Sequence, residues 1–287
     1  MNIHVDCIPC FLRQALETVA RVTADEAVHW RVVKAISALA SDVGPCESPP
    51  QFAERAYDAV AAITGVADPF VAQKREANDL VHSIAPRLRK ALTSSQDPLL
   101  AAVKLSIAGN SMDLGVVRRY GDVGALADSM LAAPLGVDDY ARFRQSLMQA
   151  RHVLMVGDNN GEVVLDKMLI EQMRLLRDCH YTYVVRGRPI INDVTRADAL
   201  SVGMQEVADI VDTGSGMPGL VLSASSVAVR ELFFAADMVV AKGQGNYEGL
   251  SDAPRDVFFL SMVKCPVISR HLDAPVGVAA VKHHRPA

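Results

Sequence analysis

Two carboxylates and one amide stand in short polar segments where they could hold a divalent cation. Asp158 and Asn159 are adjacent in GDNNGE, and Asp193 belongs to INDVT. Carboxylate and amide oxygens are hard donors that suit Mg²⁺ or Mn²⁺ better than a soft metal, and two carboxylates would neutralise such an ion. The same residue types also cap helices, and Glu162 is typical of an acidic first turn. Spacing alone therefore leaves a metal site and helix capping both open.

Basic residues near these segments could add anion binding. Lys242 precedes Gly243 and Gly245 in KGQGNYE, where a close backbone approach would bring amide donors to a phosphate. Arg186 and Arg188 follow another apolar run and could serve the same purpose. A single surface lysine or arginine is usually only solvated. The glycines nevertheless favour anion binding for Lys242, which we expect to project from a strand end into the same crevice.

The polar segments each follow a short apolar run that is typical of a buried β-strand. These runs cover 152–156, 181–185, 209–211 and 238–241, with 257–263 as a fifth candidate. Helical spacing between them predicts an α/β fold, with a mostly parallel sheet covered by helices on both faces. Ligands in such sheets bind beyond the carboxyl ends of the strands. We therefore expect one ligand site at this edge.

The N-terminal part of the chain has a different, helical pattern. Apolar residues recur at helical spacing in 11–22, 30–39, 53–63 and 78–92, and Pro86 predicts a kink or break in the last of these. We expect a helical region over 1–105, followed by an α/β metal-binding catalytic domain over 106–287. Residues 116–150 are expected to form a helical insertion in that domain.

Composition limits the classes of partner. The 287 residues carry a net charge of −4 and only 5% aromatic residues, so neither a nucleic-acid platform nor an anionic membrane surface is expected. No apolar run reaches membrane-spanning length, and the N-terminus lacks the pattern of a signal peptide. Five cysteines are too few for a disulfide scaffold. We expect a cytoplasmic protein with a small-molecule partner and leave its oligomeric state open.

One glycine-rich segment supports a competing hypothesis. Residues from Gly214 to Gly219 match G-x-G-x-x-G, a pattern typical of dinucleotide binding after a strand. The next predicted strand ends at Lys242 instead of the acidic residue that an NAD site would carry, although a lysine suits the 2′-phosphate of NADP. Nucleotide or NADP binding by a Rossmann-type protein thus remains an alternative.

The Cys7-Ile8-Pro9-Cys10 segment is a CxxC motif without a second pair. A zinc site would need further ligands such as His4 or Cys46, and a redox-active pair is also open. Buried thiols without either role are the simpler interpretation.

Several segments, taken in order, resemble the damage-control phosphatase family. They are GDNNGEVVLDKMLIEQM (157–173), VVRGRPIINDVTRADA (184–199), DTGSGMPG (212–219) and AADMVVAKGQGNYEGL (235–250). The segments DCIPCFLRQA (6–15) and AGNSMDLG (108–115) resemble its prokaryotic branch, which has an N-terminal CxxC. The resemblance extends from Asp6 to about Pro266.

The resemblance implies a Rossmann-like three-layer α/β/α domain behind an N-terminal helical region. It also implies a metal-dependent hydrolase of small phosphorylated metabolites such as sugar phosphates. The metal would be Mn²⁺ or Mg²⁺, with Co²⁺ or Ni²⁺ as further candidates. Three residues depart from the family pattern: Asn160 and Val194 stand where alanine is common, and Arg188 stands where a smaller residue is usual.

Carried over position by position, the resemblance assigns the site residues. The metal ligands are Asp158, Asn159 and Asp193, and of these Asp158 and Asp193 are also the catalytic candidates. The substrate contacts are Lys242, Asn110 and Asp113. We add Arg186 to them because it follows a predicted strand at the same edge of the sheet.

Overall fold

The computed structural model describes residues 1–44, 46–109 and 123–286 of the chain. A group of helices precedes the sheet, as predicted for the N-terminal region. In chain order they are α1 (Cys7–Val22), α2 (Glu26–Ser41), α3 (Pro49–Thr64), α4 (Val71–Ser94) and α5 (Pro98–Gly109).

Helix α3 shows how local sequence sets these boundaries. Ser48 caps its start, and the Gln51 side-chain oxygen accepts from the Ser48 backbone N–H at 2.9 Å. Pro49 fits the first turn because that turn needs no amide donor from it. The helix ends at Gly65, whose φ of 73° is the left-handed conformation favoured by glycine. Phe52 then packs against α1 and α2 in a buried cluster.

Helix α4 runs unbroken through Pro86, although that proline predicts a kink or break. Proline removes one backbone hydrogen bond and is usually costly inside a helix. Here both Pro86 and His82, whose carbonyl loses its partner, lie on the exposed side of the helix. Water can therefore replace the missing donor.

The sheet has seven strands within the described residues. They are β1 (Val137–Asp138), β2 (His152–Val156), β3 (His180–Val185), β4 (Asp209–Asp212), β5 (Met238–Lys242), β6 (Val257–Met262) and β7 (Ala279–His284). Their order is β1-β7-β6-β5-β2-β3-β4, and the pairing is parallel except between β6 and β7. The mostly parallel sheet is confirmed.

Helices cover both faces of this sheet. Those that follow α5 are α6 (Val123–Ala132), α7 (Tyr140–Gln149), α8 (Glu162–Leu176), α9 (Arg196–Ser201), α10 (Val227–Ala235), α11 (Gly243–Leu250) and α12 (Pro266–Leu272). Among the helices that the structure describes, none combines the length and apolar character that a membrane crossing requires.

Strand β2 lies at the centre of the three layers. Val153 and Met155 belong to the hydrophobic cluster with α5 and α8, whereas Leu154 and Val156 belong to the cluster on the opposite face. Side chains alternate between faces along a strand, so β2 is covered on both. The chain passes from β2 to β3 and β4 on one side, and returns to β5 and β6 on the other. This reversal of direction creates a crevice at the carboxyl end of β2.

The proposed domain limits remain a prediction. The boundary between 105 and 106 falls inside α5, which packs in the same cluster as the sheet. Of the expected helical insertion, 116–122 lies outside the described residues, and the remainder contains α6, α7 and the short strand β1. That strand pairs with β7 and thus belongs to the sheet.

Candidate functional site

A cavity of about 480 Å³ lies between the carboxyl edge of the sheet and helices α1, α3 and α4. Asp158, Asn159 and Asp193 line its sheet side. Phe11 of α1 and Tyr57 of α3 line its helical side. The three predicted metal ligands therefore share one cavity at the expected edge of the sheet, and the helical region covers it.

The loop after β2 is shaped by two glycines. A Cβ on Gly157 would lie 2.3 Å from the Tyr183 Oη, so no larger residue fits there without a shift. Gly161 has a φ of 79°, which turns the chain into α8. Asp158 and Asn159 lie between these two glycines and are held in a tight strand-to-helix turn.

The loop after β3 brings Asp193 to the same place. The Val194 N–H donates to the Asp158 carbonyl at 2.8 Å, and Asn159 and Asp193 form an isolated antiparallel bridge. Ile191 has a φ of 44°, a strained backbone conformation for a β-branched residue. Such strain persists only where surrounding contacts hold it, and it is common at functional loops.

The two carboxylates repel each other in a buried setting. Asp158 and Asp193 are 7% and 3% exposed. Burial raises the pKa of Asp158 well above its usual range, and the charges of Asp193 and Glu162 raise it further. Burial also raises the pKa of Asp193, against the opposing effect of Arg186. A cation at this place would relieve the repulsion.

Arg186 already neutralises part of this charge. Its Nε donates to Asp193 Oδ2 at 2.7 Å, and its Nη2 lies 3.6 Å from Asp158 Oδ1. The side chain is 1% exposed and does not line the cavity. The expectation that Arg186 contacts substrate is therefore not supported, because its guanidinium faces the two carboxylates from below the cavity floor.

The donor set fits a hard divalent cation. Two carboxylates and an amide oxygen are the ligands that Mg²⁺ and Mn²⁺ take. Within the described ranges, no group of three or more His, Cys, Asp or Glu side chains could hold a metal ion. The Asn159 amide oxygen would therefore add to the two carboxylates as the predicted third donor. Burial of an acidic pair beside a single arginine is consistent with this assignment.

Lys242 lies beneath the cavity. Its Nζ contacts Glu162, lies 2.9 Å from Asp166 Oδ1 and donates to the Ser106 carbonyl at 3.0 Å. Burial lowers the pKa of Lys242, but Asp166 and Glu162 more than compensate and the net shift is upward. The side chain is 0% exposed and does not line the cavity, contrary to the expectation that it projects into the crevice. Its contact with a phosphate stays a prediction that this geometry does not support.

A different lysine, Lys264, faces the site. It follows β6, is exposed and lines the cavity. Its charge is close enough to lower the pKa of Asp158, and among the described residues it forms no ion pair. The sequence pattern did not single it out, although the residues after a fifth strand should reach the same edge as the other four loops.

The match to protein families covers almost the whole chain. The family model described as the damage-control phosphatase ARMT1-like domain matches residues 3–279. The chain belongs to the damage-control phosphatase family.

Members of this family from archaea are similar over their full length. The damage-control phosphatase PH1575 of Pyrococcus horikoshii is 29% identical over 279 residues, which is 96% of each chain. The damage-control phosphatase of Archaeoglobus fulgidus is 30% identical over 289 residues, covering 98% of this chain and 99% of the relative. The crystal structure of PH1575, described as a DUF89 family protein, superposes with a TM-score of 0.92 at 28% identity, over 99% of this chain and all of the other.

The two motif cysteines of this family member also line the cavity. Cys7 and Cys10 lie in the first turn of α1 and are free thiols. Cys7 is half-buried and Cys10 is exposed, so the interpretation of both as buried thiols is wrong for Cys10. Partial burial raises the pKa of both, which favours the neutral thiol. A zinc site with His4 or Cys46 is not found within the described residues.

The glycine-rich segment from Gly214 to Gly219 has a structural explanation. A Cβ on Gly219 would lie 2.3 Å from the Gly245 carbonyl oxygen, and one on Gly245 would lie 1.9 Å from the Pro218 carbonyl oxygen. The glycines thus allow two loops to pack backbone to backbone. The following α-helix does not begin until Val227, whereas a dinucleotide fingerprint opens a helix directly. The structure gives no support to the NADP-binding alternative.

Two predicted substrate contacts, Asn110 and Asp113, lie outside the described residues. Gly109, the last residue of α5, lines the cavity. The two assignments stay predictions.

Proposed function

We propose that the protein is a divalent-metal-dependent phosphatase that hydrolyses small phosphorylated metabolites, in metabolite damage control. The observation that carries the proposal is the meeting of Asp158, Asn159 and Asp193 at one cavity floor. The names of the archaeal relatives support a phosphatase. The cavity of about 480 Å³ suits a small metabolite, since small-molecule sites commonly span about 300–1,000 Å³.

Asp158, Asn159 and Asp193 would hold the metal, with Mn²⁺ or Mg²⁺ as the first candidates and Co²⁺ or Ni²⁺ as further ones. A divalent ion in such a site supplies Lewis-acid polarisation of a phosphoryl oxygen. Arg186 orients Asp193 through its 2.7 Å hydrogen bond and opposes the upward shift that burial causes in the pKa of that carboxyl. Whether Asp158 or Asp193 also acts as nucleophile or general base is left open by the geometry.

Lys264 is our candidate for the cation that binds the phosphoryl group. Its position at the cavity wall, near Asp158, would allow its ammonium to neutralise charge on a bound phosphate. Charge stabilisation by fixed donors is a large part of catalysis of phosphoryl transfer. Helices α1 and α3 cover the opposite wall and would exclude water from the reacting groups.

A substrate screen tests the proposed function. The chelator-stripped protein would be assayed against sugar phosphates, nucleotides and phosphopantetheine, each with Mg²⁺, Mn²⁺, Co²⁺ or Ni²⁺ and with chelator. We expect release of inorganic phosphate from at least one small monoester with metal and none with chelator. Inactivity with every metal, or equal activity with chelator, would contradict the proposal.

A further inference from the structure

The amide of Asn159 has to be oriented before it can serve a metal. Only its Oδ1 can coordinate a cation, because the Nδ2 group has no lone pair to offer. Asn159 Nδ2 donates to Asp158 Oδ2 at 2.7 Å and to Glu162 Oε2 at 3.4 Å. Both partners are carboxyl groups, and in the ionised form that a bound cation favours they accept but do not donate. The flipped amide would place Oδ1 against two negative oxygens, so this pair of acceptors selects the orientation with Oδ1 turned away from them.

Glu162 is itself held from the other side. It is the first residue of α8 and is 0% exposed. Its Oε1 contacts the Lys242 ammonium, which also lies 2.9 Å from Asp166 Oδ1. A buried carboxylate without a cation would be strongly disfavoured in its ionised form. The Lys242 ammonium thus holds the Glu162 carboxylate in place from one side, and its other oxygen faces Asn159.

Asp166 has the same lysine but a different set of contacts. Its two oxygens accept from Ser106 Oγ at 2.7 Å and from Tyr183 Oη at 2.8 Å. It lies one helical turn after Glu162 and is also 0% exposed. No hydrogen bond joins it to Asn159 among the described residues. Asp166 therefore provides a matched control for charge, burial and the Lys242 ion pair.

We propose that Glu162, held by Lys242, is a positioning residue that fixes the Asn159 amide with its oxygen available to the metal. This inference rests on the proposed metal site and deepens it. It gives Lys242 a role beneath the cavity instead of a contact with the phosphate. Groups that orient metal ligands typically contribute a factor of about 10–100 to metal affinity.

Calorimetric titration of the chelator-stripped full-length protein with Mn²⁺ alone tests this role. We expect Glu162→Gln to weaken Mn²⁺ binding about 10–100-fold, because a glutamine can donate to Asn159 Oδ1 and so permits the flipped amide. Asp166→Asn should bind Mn²⁺ nearly as the wild type does. Equal affinity of Glu162→Gln and wild type would overturn the inference, as would equal weakening in both variants, which would indicate a general effect of lost charge.

A second variant separates the contact of Glu162 with Asn159 from the negative charge of the Glu162 carboxylate. Glu162→Asp keeps the carboxylate beside Lys242 but is one methylene shorter, so it should withdraw from Asn159 and also weaken Mn²⁺ binding. Wild-type affinity in this variant would overturn the inference. Unfolding curves in chelator show which variants fold, and Glu162→Asp decides the question if Glu162→Gln does not fold.

The outcomes also distinguish this inference from the proposed function. A wild type that binds Mn²⁺ but releases no phosphate from any ester refutes the phosphatase, while the comparison of Glu162→Gln with Asp166→Asn still decides the role of Glu162. A wild type that binds none of Mn²⁺, Mg²⁺, Co²⁺ and Ni²⁺ overturns both.

Discussion

Asn78 of α4 and Asn160 of the loop after β2 hold each other across the boundary between the helical region and the sheet. Asn78 Nδ2 donates to Asn160 Oδ1 at 2.9 Å, and Asn78 Oδ1 accepts from the Gly161 N–H at 2.6 Å. Asn160 Nδ2 in turn donates to the carbonyls of Asn192 and Asp193, at 3.1 and 3.2 Å. One buried amide thus joins α4 to both loops that carry the candidate metal ligands.

Removing this amide should destabilise the protein. We expect Asn160→Ala to lower the free energy of unfolding by about 1–3 kcal/mol, because it leaves buried donors and acceptors on Asn78 and on the Asp193 loop unsatisfied. Denaturant unfolding measures the change. Ser83→Ala, which removes an exposed hydroxyl on the same helix, should stay within about 0.5 kcal/mol of wild type. Equal stability of Asn160→Ala and wild type would show that the amide does not join these elements.

Substitution of Lys264 should reduce activity, whereas substitution of Lys242 should reduce stability. Lys264→Met should reduce kcat by about 10²–10³-fold, since it removes a donor to the phosphoryl group, and should leave the unfolding free energy within about 0.5 kcal/mol of wild type. Lys242→Met should lower the unfolding free energy by about 3–5 kcal/mol, because it leaves the carboxylates of Glu162 and Asp166 buried without their cation. Phosphatase assays and denaturant unfolding provide the two measurements.

Lys34→Met is the control for these variants, because it removes an exposed lysine from α2, away from the cavity. Lys34→Met should change neither kcat nor the unfolding free energy. Full activity in Lys264→Met would show that phosphate binding relies on other groups, and an unchanged unfolding free energy in Lys242→Met would contradict the buried ion cluster.

Glu248 should make stability depend on pH. Burial raises its pKa from 4.5 to about 7, against the opposing effects of Gln244 and the N-terminal amine. The folded chain therefore holds this proton more tightly than the unfolded chain. Stability from this group is complete below about pH 4.5 and is lost as pH rises to about 7, by about 3 kcal/mol in total. Glu248→Gln removes the loss.

The measurement is the difference in unfolding free energy between Glu248→Gln and wild type as a function of pH. We expect that difference to shift in favour of the variant by about 3 kcal/mol between pH 4.5 and pH 8. Glu231→Gln, at an exposed position of α10, is the control for the removal of a carboxyl group from the surface. A flat difference for Glu248→Gln would indicate that its carboxyl titrates normally.

The central strands were predictable from sequence because each is a short apolar run buried on both faces. The runs at 152–156 and 238–241 match β2 and β5 to within one residue. Strands β1 and β7 were not predicted. β1 has only two residues, and β7 ends in Lys282, His283 and His284, with His283 stacked on Phe258 at a centroid distance of 4.3 Å. These two strands, at one end of the sheet, depend on tertiary pairing that the local sequence pattern does not contain.

The candidate site was predictable only in part, for a related reason. Asp158 and Asp193 could be placed at one edge of the sheet from their positions after strands. That prediction does not depend on the direction of their side chains. Placing the Lys242 side chain, in contrast, requires knowing to which face of the sheet it points. Side chains alternate along β5, so Lys242 shares a face with Val240, which packs in the cluster with α8, where Glu162 and Asp166 lie. The lysine that reaches the cavity, Lys264, lies just beyond a strand whose end the sequence pattern fixed less firmly.

The proposed function requires Asp158 and Asp193 to carry a metal-dependent phosphatase activity. The most direct test compares phosphate release by wild type, Asp158→Ala and Asp193→Ala at saturating Mn²⁺, with the substrate that the screen identifies. Asp212→Ala, at the end of β4 on the same sheet edge but outside the cavity, is the control. We predict at least a ~10²-fold loss of rate in each of the first two variants and near wild-type activity in the control. Wild-type, metal-dependent activity in Asp158→Ala and Asp193→Ala would contradict the account.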